Sequence, residues 1–315
     1  MTLDPLAERL LRRFGAFAGE TTANPSPADL RNALKQLVPL ASPPPPADRL
    51  ELAIEVGERS IPARAYAPPG RKDDALPGLV FFHGGGGVAG GLDTHDAFCA
   101  TLAASAACRV LAIDYRLAPE HRFPAARQDA IAAASAVASQ ARAFAINPQK
   151  LGLCGDSSGA NLAIQVALEA RRSEQFFCLQ ALICPALEVA PATASRRALA
   201  RGYLLEETTL EAYWRDNRVD GLAADDWRVS PLHAPDFRGL PPAIVHVAEY
   251  DPLRDEGADY VEALRRDGVA ASLVVHQGLI HSFQSLGAAI PAAKAALEAF
   301  CAEVSRALHA NQPLK

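Results

Sequence analysis

Apolar residues along this chain repeat in two rhythms. Short apolar, β-branched runs alternate with longer alanine-rich stretches whose apolar positions return every three or four residues. The short runs are "LAIEV" (52–56), "ARAYAP" (63–68), "GLVFF" (78–82), "RVLAID" (109–114), "KLGLCG" (150–155), "LQALIC" (179–184), "AIVHVAE" (243–249) and "ASLVVH" (271–276). Their length and composition predict eight strands. "DAIAAASAVASQARAFA" (129–145) and "ANLAIQVALEARR" (160–172) carry the helical period and fit between strands. The first two runs lie close enough to pair as an antiparallel hairpin. The others alternate with helices, which predicts an α/β chain with a mostly parallel sheet covered on both faces.

Two segments fall outside this alternation. Leu3, Leu6, Leu10, Phe14 and Phe17 recur at helical spacing. They predict a helix packed on its own protein or, alternatively, a surface that meets lipid or a greasy substrate. The proline-rich "SPPPPADRL" from Ser42 ends this segment. Between Ala186 and Asp226 the strand signal stops, and the chain is polar and helical in places. It reads as an insertion over one end of the sheet. The expected divisions are an N-terminal segment (1–50), a first core part (51–185), the insertion (186–226) and a second core part (227–315).

In such sheets ligands bind beyond the carboxyl ends of the strands. "FFHGGGGVAGG" stands at one of those ends, with glycine at six of the eight positions from Gly84 to Gly91. A flexible linker is disfavoured between a buried strand and an amphipathic helix. Gly85, Gly87 and Gly90 match G-x-G-x-x-G, and Asp114 ends the next strand where a ribose-binding acid would stand. A dinucleotide site needs its helix to open within the motif. Here the helix is expected later, capped by Asp93 or Thr94. No Gly-Lys-Ser/Thr follows, so a Walker-type loop is absent.

The third reading is an oxyanion hole, and it needs a nucleophile elsewhere. Gly155-Asp156-Ser157-Ser158-Gly159 is a G-x-S-x-G at a strand-to-helix junction. Such an elbow strains the serine into a sharp turn, so the residues two away must lack bulk. The hole would combine the N–H of Ser158 with amides of the loop after an earlier strand, and "HGGG" at His83 to Gly86 is such a loop. A serine needs a base, and the base an orienting acid. Among the downstream histidines, His246 lies inside a strand and His309 near the chain end. His281 follows the last strand and is the expected base, with His276 as the alternative. Glu249, Asp251, Asp255 and Glu256 compete for the acid. Asp251 sits just past the strand and is fixed by Pro252, whereas Asp255 and Glu256 would open the next helix.

Composition narrows the partners. Half of the 315 residues are apolar, 21% are charged and the formal net charge is −5. No basic run suggests nucleic acid, and no apolar run reaches membrane-spanning length. The N-terminus lacks the features of a signal peptide. Six scattered cysteines without a CxxC pair predict small core residues in a reduced, cytoplasmic chain.

"HGGG", "DYRLAPEHRFPAA" (114–126), "GDSSG", "SPLHA" (230–234), "DPLRDEG" (251–257) and "IHSF" (280–283), in this order, resemble the hormone-sensitive lipase-like carboxylesterases. The resemblance covers about Leu50 to Leu308. It implies an eight-stranded α/β-hydrolase core under a helical cap built from the N-terminal segment and the insertion. It implies Ser157 as nucleophile, Asp251 as acid, His281 as base, and Gly85, Gly86 and Ser158 as oxyanion donors. His83 would orient the glycine loop, Gly84 would turn the chain away from the strand, and Asp156, Gly87 and Glu249 would support the site. Tyr115 to Glu120 would buttress it. Small to medium acyl esters are the expected substrates, without metal or cofactor, and relatives admit an edge-strand homodimer. Amide hydrolysis, acyl transfer and a non-catalytic receptor are the rival readings. Three positions depart from the family: Gly87 where bulk is usual, and Ala160 and Ser282 where glycine is usual. Gly87 is expected to widen the pocket beside the oxyanion hole, so that a bulky residue there would favour shorter acyl chains.

Overall fold

Eight strands form one sheet in the order β1-β2-β4-β3-β5-β6-β7-β8. They are β1 (Asp48–Val56), β2 (Arg59–Ala67), β3 (Leu76–Phe82), β4 (Arg109–Ile113), β5 (Ile146–Asp156), β6 (Gln180–Ile183), β7 (Ala243–Tyr250) and β8 (Ala271–Ile280). This computed structural model describes residues 2–17, 24–71, 73–173, 175–190, 193–217 and 221–310. As expected, β1 and β2 form an antiparallel hairpin. β2 also runs antiparallel to β4. Every other neighbouring pair is parallel.

The central strands are buried on both faces, and their side chains alternate between two cores. Val80, Phe82, Leu111, Ile113, Val245 and Val247 point to one face. It is covered by α4 (Ala125–Ser139), α5 (Ser158–Arg172) and α8 (Arg254–Arg266). Leu79, Phe81, Val110, Ala112, Ile244 and Ala248 point to the other. That face is covered by α1 (Pro5–Phe17), α3 (Asp96–Ser105) and α9 (Pro291–His309). The period-two register therefore fixes which residues of each strand face which helices. Ala7 and Leu10 of α1 are buried and Leu6 and Phe14 pack beside them, so this helix lies on its own protein. The side chain of Phe17 lies outside the described residues. Among the described residues no helix is long and apolar enough to cross a membrane.

Three local expectations change. The helix after the glycine loop begins at Asp96, with His95 at its N-cap. Asp93 is drawn instead to Arg64 at 2.9 Å, and the Thr94 hydroxyl donates to Gly91 O. The stretch 129–145 is not one helix. α4 ends at Ser139, a short 3₁₀ turn follows, and Ala145 at φ +52° breaks the path before β5. β8 continues to Ile280, so His276 lies within the strand rather than at its end.

Between β6 and β7 the chain forms α6 (Ala194–Ala198) and α7 (Glu207–Asn217). Asp255 and Glu256, in the first turn of α8, anchor this excursion. Asp255 accepts from Ser195 N at 2.7 Å. Glu256 Oε2 accepts from the amides of Leu187 and Glu188 at 2.6 and 3.0 Å. α2 (Pro27–Lys35) is held by Arg31, which donates to the carbonyls of Val88 and Ala118 and pairs with Glu120 at 2.6 Å. Ser26 and Asp29 form a capping box at its start.

Burial pushes the Glu256 carboxyl up to about 8, against the pull of its two amide donors and Arg196. The folded chain thus holds a proton that an unfolded glutamate releases near pH 4.5. The stability this contributes is full below that value and is lost as pH rises through about 8. Glu256→Gln removes the titration. Thermal unfolding across this range should therefore fall less steeply with pH in the variant than in the wild type. Parallel falls in the two proteins would refute it.

Candidate active site

Ser157 follows the end of β5 at φ +52° and ψ −122°. A non-glycine residue holds this region only where its surroundings enforce it. Its N–H donates to Ile183 O at 2.9 Å, and α5 starts at the next residue. A Cβ on Gly155 would overlap the backbone of Gly159. A Cβ on Gly159 would overlap the carbonyls of Phe82 and His83. These two glycines let α5 cross the end of β3 in backbone contact, and so set the glycine loop beside Ser157.

Gly84 serves a close approach rather than a turn away from the strand. Its N–H donates to Asp156 Oδ1 at 2.8 Å, and a Cβ there would overlap the same carboxylate. Gly85, Gly86 and Gly87 have φ of +117°, +65° and +70°, a path closed to most side chains. Among the described residues, the N–H groups of Gly85, Gly86 and Ser158 donate to no other group. They remain available to a ligand oxygen. His83 Nδ1 lies 2.8 Å from Gly84 O, and its ring stacks on Tyr115 at 4.3 Å. The Tyr115 hydroxyl donates to His83 O at 2.6 Å. Burial and the nearby His95 push the His83 pKa down to about 4. It is therefore neutral and holds the loop.

Asp156 is the loop's buried anchor. It accepts from Gly84 N and from Gln284 Nε2 at 2.9 Å, with His95 Nε2 at 3.4 Å. Burial alone would raise its pKa, but His95, His83 and the Gly84 amide together lower it.

Gly87 has a local explanation. The carboxamide of Asn217, at the end of α7, stands where a side chain would go. A Cβ on Gly87 would lie 2.9 Å from Asn217 Oδ1. Asn217 Nδ2 also donates to Gly86 O at 2.6 Å. Bulk is thus supplied from another element, and the positive φ makes any substitution strained. Gly87→Trp is accordingly expected to disturb the whole loop and lower activity on all esters, rather than simply to shorten the preferred chain.

Asp251 is fully buried just beyond β7. It accepts from Leu253 N at 2.9 Å through Oδ1, and its Oδ2 lies 2.7 Å from His281 Nδ1. Burial disfavours a charged His281, but the Asp251 charge and hydrogen bond outweigh it, and its pKa is raised. The other candidates are engaged elsewhere. Glu249 accepts from Gly278 N at 2.8 Å and ties β7 to β8. His276 Nε2 lies 2.9 Å from His246 Nδ1, and His246 in turn contacts Glu303 at 3.0 Å. Ser282 stands at φ +61°, which accounts for the glycine usual there. Ala160 is fully buried in the core at the start of α5.

Ser157 and His281 both line a cavity of about 600 Å³, together with Gly84, Gly85 and Asp156. Among the described residues no hydrogen bond joins Ser157 to His281, and such bonds often tighten only with substrate. Leu11 and Phe14 of α1, Leu30 and Leu34 of α2, and Leu204 and Leu205 before α7 add apolar walls. The N-terminal helix thus packs on its own protein and also meets this cavity.

Cys184, Asp251 and His281 offer ligand atoms within 4.8 Å of one another. Burial and the adjacent Asp251 hold the Cys184 thiol well above its usual range. Within this cluster Asp251 and His281 are already paired with each other at 2.7 Å.

His95, Gln284 and Asn217 escaped the sequence reading because their partners are 61, 128 and 131 residues away. Only the missing bulk at Gly87 hinted at Asn217. Gly84→Ala should displace the loop against Asp156. A fall in kcat/KM of about 10²-fold is expected with the secondary structure intact by circular dichroism. Full activity in the variant would show that the close approach is not needed.

Comparison with known proteins agrees with this architecture. The profile of a family described as alpha/beta hydrolase fold matches residues 79–285. The chain is 38% identical over 297 residues to carboxylic ester hydrolase LipN of Mycobacterium tuberculosis, covering 90% of this chain and 78% of that one. It is 40% identical over 235 residues to ethyl acetate hydrolase of Pseudomonas putida, covering 73% and 74%. The solved structure of an ester hydrolase from the metagenome of Lake Arreo, complexed with a bipyridine phosphonate derivative, superposes with a TM-score of 0.91. That protein is 35% identical, with 96% of this chain and 98% of the other covered. The chain belongs to the hormone-sensitive lipase-like carboxylesterases of the α/β-hydrolase superfamily, enzymes that act on carboxylic esters.

Proposed function

We propose that this ester hydrolase works through Ser157, His281 and Asp251 by way of an acyl-enzyme. The observation that carries the reading is the 2.7 Å contact between His281 Nδ1 and buried Asp251, beside a strained Ser157 on the same cavity. With Nδ1–H held by Asp251, His281 Nε2 is left to take the Ser157 proton. Oγ attacks the ester carbonyl, and the amides of Gly85, Gly86 and Ser158 receive the oxyanion. Each such donor is worth about 3 kcal/mol to the transition state. His281 then passes its proton to the departing alkoxide, which leaves as alcohol. Water, deprotonated by the same nitrogen, attacks the acyl-enzyme, and the acid departs as Ser157 is reprotonated.

Residues 1–50 and 186–226 act as the cap that encloses the substrate, because α1, α2 and the approach to α7 wall the cavity. Small to medium esters fit a space of about 600 Å³. His83, Gly84, Asp156 and Asn217 position the oxyanion loop without touching the reacting atoms.

Ser157→Ala should lower p-nitrophenyl ester hydrolysis by at least about 10⁴-fold. A variant as active as the wild type would overturn the assignment. His281 works as a base only when neutral, and its pKa is raised, so activity is lost as pH falls through a value higher than that of a free histidine. Asp251→Asn removes the charge that raises it. kcat/KM should drop by about 10⁴-fold, and the acid limb of its pH profile should move to lower pH. An unmoved limb would mean that another group sets it.

A further inference from the structure

Every carbonyl from Gly84 to Val88 has a partner. His83 Nδ1 lies 2.8 Å from Gly84 O. Gly85 O accepts from the amides of Val88 and Ala89 at 3.1 and 2.9 Å, and Gly87 O from Ala118 N at 2.8 Å. Gly86 O accepts from Asn217 Nδ2 at 2.6 Å, and Val88 O from Arg31 Nε at 2.9 Å. In a planar trans peptide the C=O and the next N–H point in opposite directions. A fastened carbonyl therefore aims the amide behind it. The carbonyls of Gly84 and Gly85 in this way aim the N–H groups of Gly85 and Gly86, which among the described residues have no acceptor.

One of these partners comes from far outside the sheet. Arg31 belongs to α2, in the N-terminal segment, 57 residues before Val88. Its guanidinium is a planar fork that can hold several acceptors at once. Nε holds Val88 O, Nη2 holds Ala118 O at 3.0 Å, and Nη1 and Nη2 pair with the Glu120 carboxylate at 2.9 and 2.6 Å. Beside it Leu30, Val88 and Ala118 are buried in one apolar cluster with Ala212 of α7. The path from Arg31 to the site is short. Val88 O shares a peptide with the Ala89 N–H. That N–H donates to Gly85 O, which shares a peptide with the Gly86 N–H. Two peptide planes connect the guanidinium to an oxyanion donor.

Resting on the oxyanion reading above, we propose that Arg31 is a positioning residue for ester hydrolysis, fixing the Gly86 N–H by holding Val88 O. The same helix lines the cavity through Leu30 and Leu34. The oxyanion loop is therefore complete only while α2 is docked, and a segment that covers the substrate also sets the hole.

Arg31→Ala removes the clip from the full-length protein. Its kcat on p-nitrophenyl butanoate should fall at least about tenfold. KM should stay within about twofold, because the lost placement matters only where the oxyanion forms. An alkyl trifluoromethyl ketone reads the hole directly. Ser157 Oγ adds to its carbonyl, the proton passes to His281, and the hemiketal oxyanion occupies the same amides. Its Ki should rise by the factor that kcat loses. Arg31→Lys puts a point charge in place of the fork and should lie between wild type and Arg31→Ala. Glu120→Gln loosens the clip without removing it, so kcat should fall about two- to fivefold at a steady KM. Lys35→Ala, exposed on the same helix, should leave kcat, KM and Ki unchanged. A raised KM at wild-type kcat would mean that Arg31 only docks the cap, and would overturn the proposal. So would an unchanged Ki in Arg31→Ala. If that variant failed to fold, Glu120→Gln would decide alone, and a wild-type kcat there would refute the clip. The oxyanion reading has a separate control. A ketone that does not inhibit the wild type would sink that reading, whereas equal inhibition of wild type and Arg31→Ala sinks only the role of Arg31.

Discussion

The whole site hangs on one backbone contact, where Gly159 of α5 meets the carbonyls of Phe82 and His83. No side chain fits in that crossing, and without it the elbow and the glycine loop would separate. The contact is held from behind by burial. Leu162, Ile164, Val166 and Leu168 of α5 are all less than a tenth exposed. Each contributes about 1.5–3 kcal/mol relative to exposure. The unfavourable dihedrals of Ser157 cost about 1–3 kcal/mol. Burial along a single helix therefore exceeds the strain at its start, and the serine stays in a conformation that it would leave in isolation.

Around that contact, two buried carboxylates do different work. Asp251 faces one imidazole at 2.7 Å and raises its proton affinity. Asp156 spends its acceptors on Gly84, Gln284 and His95 and fixes a loop. The two site histidines diverge accordingly. His281 and His83 are both buried, yet one pKa is raised and the other falls to about 4. Desolvation acts on both. What differs is the partner: a carboxylate for His281, a carbonyl and a second histidine for His83.

Much of this was legible in the chain, for identifiable reasons. The central strands were readable because both faces are buried, which makes each a short unbroken apolar run. The elbow was readable because its steric demand falls on two residues close to the serine, Gly155 and Gly159. Asp251 and His281 were readable as residues just past strand ends. Strand ends were misjudged where pairing, not composition, extends them, as in β8 beyond His276. The start of α3 was misjudged because Asp93 and Thr94, good caps by type, are taken by Arg64 and Gly91. Gly84 was assigned to a turn, although its constraint is a carboxylate 72 residues away. A contact of that range leaves no periodic trace, and neither does the filling of the space at Gly87 by Asn217.

α7 links two properties that are usually tuned apart. Tyr213 borders both cavities beside Ser157, of about 600 and 90 Å³, and one turn later Asn217 grips Gly86. A lineage that reshaped these cavities by shifting this helix would also loosen the glycine loop beside Ser157. Change in these cavities should therefore proceed through single side chains on α7 while the Asn217 latch persists. The wall supplied by α1 carries no such coupling and should be the easier place for change.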